Sequence, residues 1–223
     1  MRLTQLSLPS PDPAAQGRFY RRLGLPVRTV GNGVEVTLGW SRLSFAPGER
    51  PQGHAEHFAF SLPWDRFEAA RSWLSARVPL RRDETGADSF DSGSWPEAWR
   101  SRAVYFDDPD GNILELIAHR GLEPVRGGDF GPDELLGLAE FGVAVRDVPG
   151  AVATLAESLH PPERSEDSPS FMWLGGRDGR LIVVRRGRVW FPDTGIPASP
   201  GPFRLRAETA GGEVELTEAT LPA

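Results

Sequence analysis

The sequence contains neither cysteine nor lysine, and all 25 of its basic residues are arginine. Without cysteine, the chain can form no disulfide, thiolate nucleophile, iron–sulfur cluster or cysteine-based zinc site. Without lysine, it lacks the amine that a Schiff base or a phosphate-binding loop requires, and arginine does not supply one. A metal or acid–base site must therefore combine carboxylates, glutamine, tyrosine or serine with the four histidines, which are His54, His57, His119 and His160.

Long apolar runs are also absent. No stretch approaches the ~20 apolar residues that span a bilayer, and the N-terminal MRLTQLSLPSPD lacks the apolar core of a signal peptide. We therefore expect a cytoplasmic protein without a membrane partner. The net charge of -6 and the lack of a basic run argue against nucleic acid as a partner. A chain of 223 residues suits one large domain or two small ones.

Three segments share one plan, in which a short strand leads through an Asp/Pro-rich start into an amphipathic helix. They begin with LTQLSLPSPD, HFAFSLPWD and LAEFGVAVRD, and their predicted first strands cover residues 3–8, 56–62 and 138–145. Short strands with turn signals follow each helix, so each unit reads strand, helix, strand, strand, strand. Two further strand-like pieces, 203–207 and 213–217, lie in the tail.

This repeat predicts an α+β fold of tandem βαβββ modules that form an open curved-sheet barrel, with a third degenerate module and a short C-terminal strand extension. Residues 1–121 are expected to pair two modules, about 1–50 and 54–120, around a ligand or metal cleft. Residues 122–135, rich in Gly, Pro and charge, are predicted to be a linker. Residues 136–223 are predicted to hold the third module.

The first strands of modules one and two have unequal faces, because successive side chains of a strand point to opposite sides. Bulky Leu and Phe side chains occupy one face. Small or polar residues occupy the other, namely Gln5 and Ser7 in the first strand and His57, Ala59 and Ser61 in the second. The bulky faces should pack under the helices, so the small faces are expected to line a cleft for a small molecule.

Gln5, His57 and Glu140 occupy equivalent points of the three repeats, each seven or eight residues before the Asp that precedes the helix. Glu115 lies in the apolar strand NILELIA, where an unpaired buried carboxylate would cost several kcal/mol. If modules one and two pair as pseudo-symmetric halves, Gln5, His57 and Glu115 converge, and a bound cation compensates the carboxylate. Taken singly, each residue also fits a structural role, such as a hydrogen-bonded histidine or a glutamate paired with arginine.

The strings FYRRLGLPV, HFAFSLP and YFDDPDGNILELI resemble the vicinal oxygen chelate superfamily, which includes glyoxalase I, bleomycin-resistance proteins and extradiol dioxygenases. The resemblance covers about residues 3–119 and is weaker over 136–187. It implies a divalent metal (Fe, Mn, Ni or Zn) held by Gln5, His57 and Glu115. The carboxylate that glyoxalase-like members add on the last strand of the first module is missing here. Tyr105 matches a dioxygenase tyrosine and would be an acid or hydrogen-bond donor, with an ordinary strand residue as the alternative.

The third module is expected to be degenerate. Aligning its Asp-Gly turn on that of the second module places Val183 where Glu115 stands, which leaves Glu140 without a partner carboxylate. We therefore interpret Glu140 as structural. Arg188 and Trp190, in the string GRVWFP, are interpreted as core or interface rather than as a ligand surface.

Two small-molecule functions fit these observations, and a relic of the fold that acts through protein contacts is a third possibility. The first is a metal-dependent enzyme with oxygenase-like or lyase/isomerase chemistry, whose small substrate chelates the metal through adjacent oxygens. The alternative is a metal-free binding or sequestering protein of the bleomycin-resistance type. Residues expected to contact the ligand are Ser7, Ala59, Ser61, Trp95 and Trp99. We also predict that the protein forms a homodimer.

Overall fold

The computed structural model describes residues 1–93, 100–122, 128–166 and 168–222. These residues form an α+β fold with one mixed sheet of 14 strands and three α-helices. No helix among them has the length and hydropathy to cross a membrane. The α+β class predicted from the sequence is confirmed.

The first module has the predicted order of elements. They are β1 (Arg2–Ser10), α1 (Pro13–Arg22), β2 (Val27–Val30), β3 (Gly33–Leu38) and β4 (Ser41–Pro47). Helix α1 begins where the sequence indicates, because the Asp12 carboxylate caps it by accepting a hydrogen bond from the Ala15 N–H at 2.9 Å. Gly24 follows the helix with φ of 79°, a left-handed conformation that suits glycine.

The second and third modules repeat this order. The second contains β5 (His57–Pro63), α2 (Phe67–Ser75), β6 (Phe90–Asp91), β7 (Ser101–Asp107) and β8 (Ile113–His119). The third contains β9 (Gly137–Val145), α3 (Val148–Leu159), β10 (Glu163–Arg164), β11 (Phe171–Gly176) and β12 (Gly179–Arg185). The tail forms a hairpin of β13 (Arg204–Thr209) and β14 (Gly212–Thr217).

The strand order differs from the expected pairing of modules one and two. The sheet runs β2-β3-β4-β1-β9-β5-β8-β7-β6, so β9 of the third module lies between β1 and β5. Module two pairs with module three through antiparallel β5 and β9, and β12 extends the sheet beside β9. Strand β1 pairs instead with β4 and with β13 of the tail. The domain limits at 121 and 136 stay a prediction, but the cleft cannot be built from the first two modules alone.

The junction of β1 and β9 depends on a buried serine. The Ser41 hydroxyl donates a hydrogen bond to the Leu3 carbonyl at 2.6 Å and accepts one from the Leu138 N–H at 2.8 Å. These bonds satisfy backbone groups at the only register position where β1 and β9 pair among the described residues, Leu3 with Leu138. Beyond this point the two strands separate, which carries the rest of β1 away from module three.

Candidate metal centre

A cavity of about 400 Å³ lies between modules two and three, a volume typical of small-molecule sites. Its walls are largely aromatic and come from Phe90, Tyr105, Phe171, Trp173, Trp190 and Phe191. Besides Tyr105, four buried ionisable side chains share its lining: His57, Glu115, Glu140 and Arg180. The other polar lining residues, Asp91, Ser92, Ser101 and Arg188, are at least partly exposed. The cavity therefore combines an apolar wall with a compact group of ionisable side chains.

The polar groups come together because three of them, together with Tyr105, belong to one cross-strand row. In register, Tyr105 pairs with Glu115, Glu115 with Ala59, Ala59 with Glu140, and Glu140 with Arg180. Residues in register lie on the same face of a sheet. The glutamates are two strands apart, about 9.6 Å in a flat sheet. The small Ala59 between them leaves room for both carboxylates to turn toward one point.

Three donor atoms converge there. One atom each from His57, Glu115 and Glu140 lies within 4.8 Å of the others, and His57 Nε2 is 3.5 Å from Glu115 Oε2. The other ring nitrogen of His57, Nδ1, is 3.1 Å from the Ile113 carbonyl oxygen. That carbonyl can only accept, so Nδ1 carries the proton and Nε2 presents its lone pair to the carboxylates.

The electrostatics favour a cation at this point. Burial lowers the pKa of His57 to about 4, so the imidazole is neutral at pH 7 and can ligate. Burial and the charge of Glu140 raise the pKa of Glu115 well above its usual value. Burial likewise raises the pKa of Glu140, against the opposing charge of Arg180. A positive ion between the two carboxylates would stabilise their charged forms and offset the cost of burying them.

Tyr105 is adjacent to this group. Its hydroxyl donates a hydrogen bond to the Glu115 carboxylate. Burial, followed by the charges of Glu115 and Glu140, raises the pKa of Tyr105 well above 10, so the phenol keeps its proton. The rings of Tyr105 and Trp190 lie 6.2 Å and 5.4 Å from the imidazole of His57. The imidazole of His57 is thus packed near two aromatic rings.

The residues present fit a divalent metal. One imidazole and two carboxylates form a three-donor set that differs by one ligand from the two-histidine, one-carboxylate set of non-haem iron centres, and imidazole and carboxylate donors also suit Mn, Ni and Zn. Arg180 is the feature that such a set does not require. Its guanidinium Nη1 lies 3.5 Å from Glu140 Oε1, and both side chains are more than 90% buried. Glu140 has a second oxygen, so this ion pair leaves a donor for a metal.

The structure brings His57, Glu115 and Tyr105 together as predicted, but it does not bring Gln5 to them. Gln5 pairs in register with Arg42 and Arg206, and its amide donates to the Ser7 hydroxyl at 3.3 Å. The physical reason is the strand order, since β9 separates β1 from β5. Glu140 of β9 occupies the place that the sequence interpretation gave to Gln5.

The five predicted ligand contacts have different outcomes. Ser7 lies beside Gln5, outside the cavity lining. Ala59 and Ser61 are fully buried and are not among the residues that line the cavity. Trp95 and Trp99 lie outside the described residues.

The interpretation of Glu140 as structural is corrected by its position in the row. Its repeat position, equivalent to that of His57, was the available signal. In the third module, the residue equivalent to Glu115 is Ile182 rather than Val183. Glu115 pairs with Ala59, two residues after His57. In the same way, Ile182 pairs with Gly142, two residues after Glu140. Arg188 and Trp190 line the cavity as well.

Comparison with known proteins supports the fold. No protein-family profile and no curated protein matches the chain. A provisionally assigned dioxygenase from Bacillus subtilis is similar in structure, with a TM-score of 0.56 and 17% identity over 82% of this chain and 63% of the other. The chain thus spans less than two thirds of that protein's length.

Shorter proteins match about half of the chain. A glyoxalase/bleomycin resistance protein/dioxygenase from Alicyclobacillus acidocaldarius matches 53% of this chain and 91% of its own, with 17% identity and a TM-score of 0.43. A lactoylglutathione lyase from Agrobacterium tumefaciens matches 52% of this chain and 91% of its own, with 22% identity and a TM-score of 0.38. The resemblance inferred from the sequence is confirmed as a likeness of fold to the Bacillus subtilis protein.

Proposed function

We propose that the protein is a divalent-metal-dependent enzyme whose small substrate binds in the cavity between modules two and three through adjacent oxygens. The observation that carries this proposal is the convergence of His57, Glu115 and Glu140 within 4.8 Å at the base of an aromatic cavity. A bound divalent cation would polarise a substrate carbonyl or stabilise negative charge on chelating oxygens. The strands around the cavity are inferred to curve as an open barrel.

The residues around the donors have separate tasks in this proposal. His57 Nε2, Glu115 and Glu140 hold the cation. The Ile113 carbonyl fixes the imidazole through Nδ1 at 3.1 Å. The Tyr105 hydroxyl, kept protonated by its buried and acidic surroundings, orients Glu115 and is the nearest group able to donate a proton to a substrate oxygen. The aromatic walls exclude water and bind an apolar part of the substrate.

The first test is metal binding. Protein purified without chelator is analysed for bound metal and then titrated with Mn²⁺, Fe²⁺, Ni²⁺ and Zn²⁺ by calorimetry. We expect one ion per chain, and we expect His57→Ala to weaken binding by at least about 100-fold because one of three ligands is lost.

Gln5→Ala is the matched control. It removes the residue that the sequence alone nominated as a ligand, from a position that the structure places outside the cavity. We expect its affinity to equal that of the natural chain. Equal weakening by both substitutions, or no binding by the natural chain, would contradict the proposed centre.

A metal-free binding protein is the second candidate, and the Arg180–Glu140 ion pair favours it. The pair partly neutralises the carboxylates without any added ion. In that case a flat ligand would lie among the aromatic walls. Binding of such a ligand, unchanged by chelator and by His57→Ala, would select this candidate.

A further inference from the structure

A buried arginine shares one carboxylate with the candidate metal centre, and nothing in a three-donor metal site requires it. We propose that Arg180 is a positioning residue whose positive charge, supplied by the protein itself, partly neutralises the two carboxylates. This inference rests on the proposed function. Arg180 weakens the binding of divalent cations, and it gives the loaded centre a surplus positive charge that selects a ligand with an anionic oxygen.

The position of Arg180 is built by its neighbours. Its guanidinium stacks on Trp173, with 5.0 Å from the guanidinium carbon to the ring centroid. On the adjacent strand it pairs in register with Gly175, where a Cβ atom would come 2.8 Å from the Cβ of Arg180. Gly175 also has φ of 137°, which disfavours a larger residue. Glycine there leaves the space that the arginine occupies.

The charge of Arg180 acts on both glutamates. The guanidinium is 3.5 Å from Glu140. Its charge also acts to lower the pKa of Glu115, against the raising effect of burial. With His57 neutral and both carboxyl groups ionised, as metal ligation requires, the two carboxylates and the arginine together carry one negative charge. A divalent cation turns this into one positive charge. Without Arg180, the loaded centre would be neutral.

Two consequences follow from this count. The first is repulsion between the guanidinium and an incoming cation, which a buried site screens poorly. The second is an attraction for a ligand that brings one negative charge, such as a carboxylate with an adjacent hydroxyl oxygen. An uncharged chelator of the same shape would gain no affinity from the surplus positive charge.

The test compares metal affinity in the natural chain and in variants of Arg180. Mn²⁺ and Zn²⁺ are titrated by calorimetry into the natural chain, Arg180→Gln and Arg180→Met, the last keeping apolar packing on Trp173. We expect both variants to bind each ion at least about tenfold more tightly. Arg180→Lys, which keeps the charge, should stay within about threefold of the natural chain. Arg188→Gln removes a cavity arginine that stacks on Phe171, and it is the control for general charge effects.

The outcomes separate this inference from the proposed function. Tighter binding by the neutral variants supports the inference, even if the natural chain binds no metal, and in that case the proposed function alone fails. Equal or weaker binding by the neutral variants overturns the inference and leaves the proposed function standing. If neither the natural chain nor the variants bind metal, both are overturned.

The ligand preference is tested with two small chelators of matched shape. Glycolate is anionic and glycolamide is neutral, and both offer a hydroxyl oxygen next to a carbonyl oxygen. On the Zn²⁺-loaded natural chain we expect glycolate to bind more tightly than glycolamide. Arg180→Met should reduce that preference at least about fivefold. An unchanged preference would overturn the charge-selection part of the inference.

Discussion

Among the described residues, two polar cross-strand rows follow the same plan, and one of them lies at the cavity of the candidate site. The row through Ala59 joins Tyr105, Glu115, Glu140 and Arg180 between two complete modules, and it is buried.

The second row, through Gln5, lies on module one and the tail hairpin. It joins Thr37, Arg42, Arg206 and Glu215. Its ion pairs, such as Arg206 with Glu215 at 2.9 Å, lie in water with 43% and 34% of the side chains exposed. The comparison shows that equivalent positions of the repeat have different surroundings, buried in one row and exposed to water in the other. A second complete module must cover the row, and a two-stranded hairpin does not.

The largest expected difference between the rows comes from removing their arginines. Arg180→Met in metal-free protein leaves two buried carboxylates without their counter-charge. We expect a loss of about 3 kcal/mol in the free energy of unfolding, measured by chemical denaturation. Arg206→Met should give no resolvable change, because water screens its partner. Similar losses in the two variants would break the distinction between the rows.

The junction between the two regions should give a pH-dependent effect of similar size. Asp108 accepts hydrogen bonds from the Gln16 side chain of module one at 3.0 Å and the Asn112 side chain at 2.7 Å. Burial nevertheless raises the pKa of Asp108 from 3.8 to about 6. A raised folded-state pKa stabilises the protein below the unfolded-state value, and this stabilisation is lost as the pH rises through 6.

Between pH 4 and pH 7, Asp108 should therefore reduce the free energy of unfolding by roughly 2–3 kcal/mol. Asp108→Asn should remove this part of the pH dependence, seen as the difference between the two denaturation profiles. Asp107→Asn, at a more exposed neighbouring position, controls for the loss of one acidic charge. Parallel profiles for the natural chain and Asp108→Asn would be evidence against this role.

A matched pair of substitutions at the centres of the two rows sharpens the comparison further. Ala59→Val adds volume between two carboxylates that must converge. We expect a loss of about 1–3 kcal/mol and a strong loss of Mn²⁺ binding. Gln5→Val changes a partly exposed strand position and should alter stability by less than about 0.5 kcal/mol. Retained Mn²⁺ affinity in Ala59→Val would show that the carboxylates do not depend on the small side chain.

The smallest expected effect compares the two tyrosines of the chain. Tyr105→Phe removes the hydrogen bond to Glu115 and should cost about 1 kcal/mol. Tyr20→Phe removes a buried hydroxyl that has no hydrogen-bond partner among the described residues, so it should be neutral or slightly stabilising. Both are measured by thermal unfolding. A larger loss for Tyr20→Phe would contradict the assignment of these contacts.

Most of the fold could be predicted from the sequence because local signals specify it. Helix caps such as Asp12, the Asp-Gly turns and the alternation of large and small residues each act within a few positions of the chain. They define the three modules and the tail hairpin. His57 and Glu115 could be identified in the same way, since both stand inside apolar strands of one module.

The partner of module two could not be read from such signals. Pairing of β5 with β9 rather than with β1 depends on which strand edges fit together across some 80 residues, and no local pattern encodes that choice. Gln5 and Glu140 are equivalent in the repeat, so the wrong strand neighbour placed Gln5 instead of Glu140 beside His57 and Glu115. The role of Arg180 depends on the same long-range register.

The position of β9 also sets the order in which this protein can be assembled. As the chain emerges during synthesis, modules one and two are complete before β9 exists, and the edges of β1 and β5 that β9 will occupy are open until then. Open edges invite pairing with other strands. If the two finished modules, which are similar in structure, paired with each other through these edges, β9 would have to displace that pairing to reach its native position. We expect nascent chains ending near residue 122 to associate wrongly, and the native arrangement to form only once the third module is present.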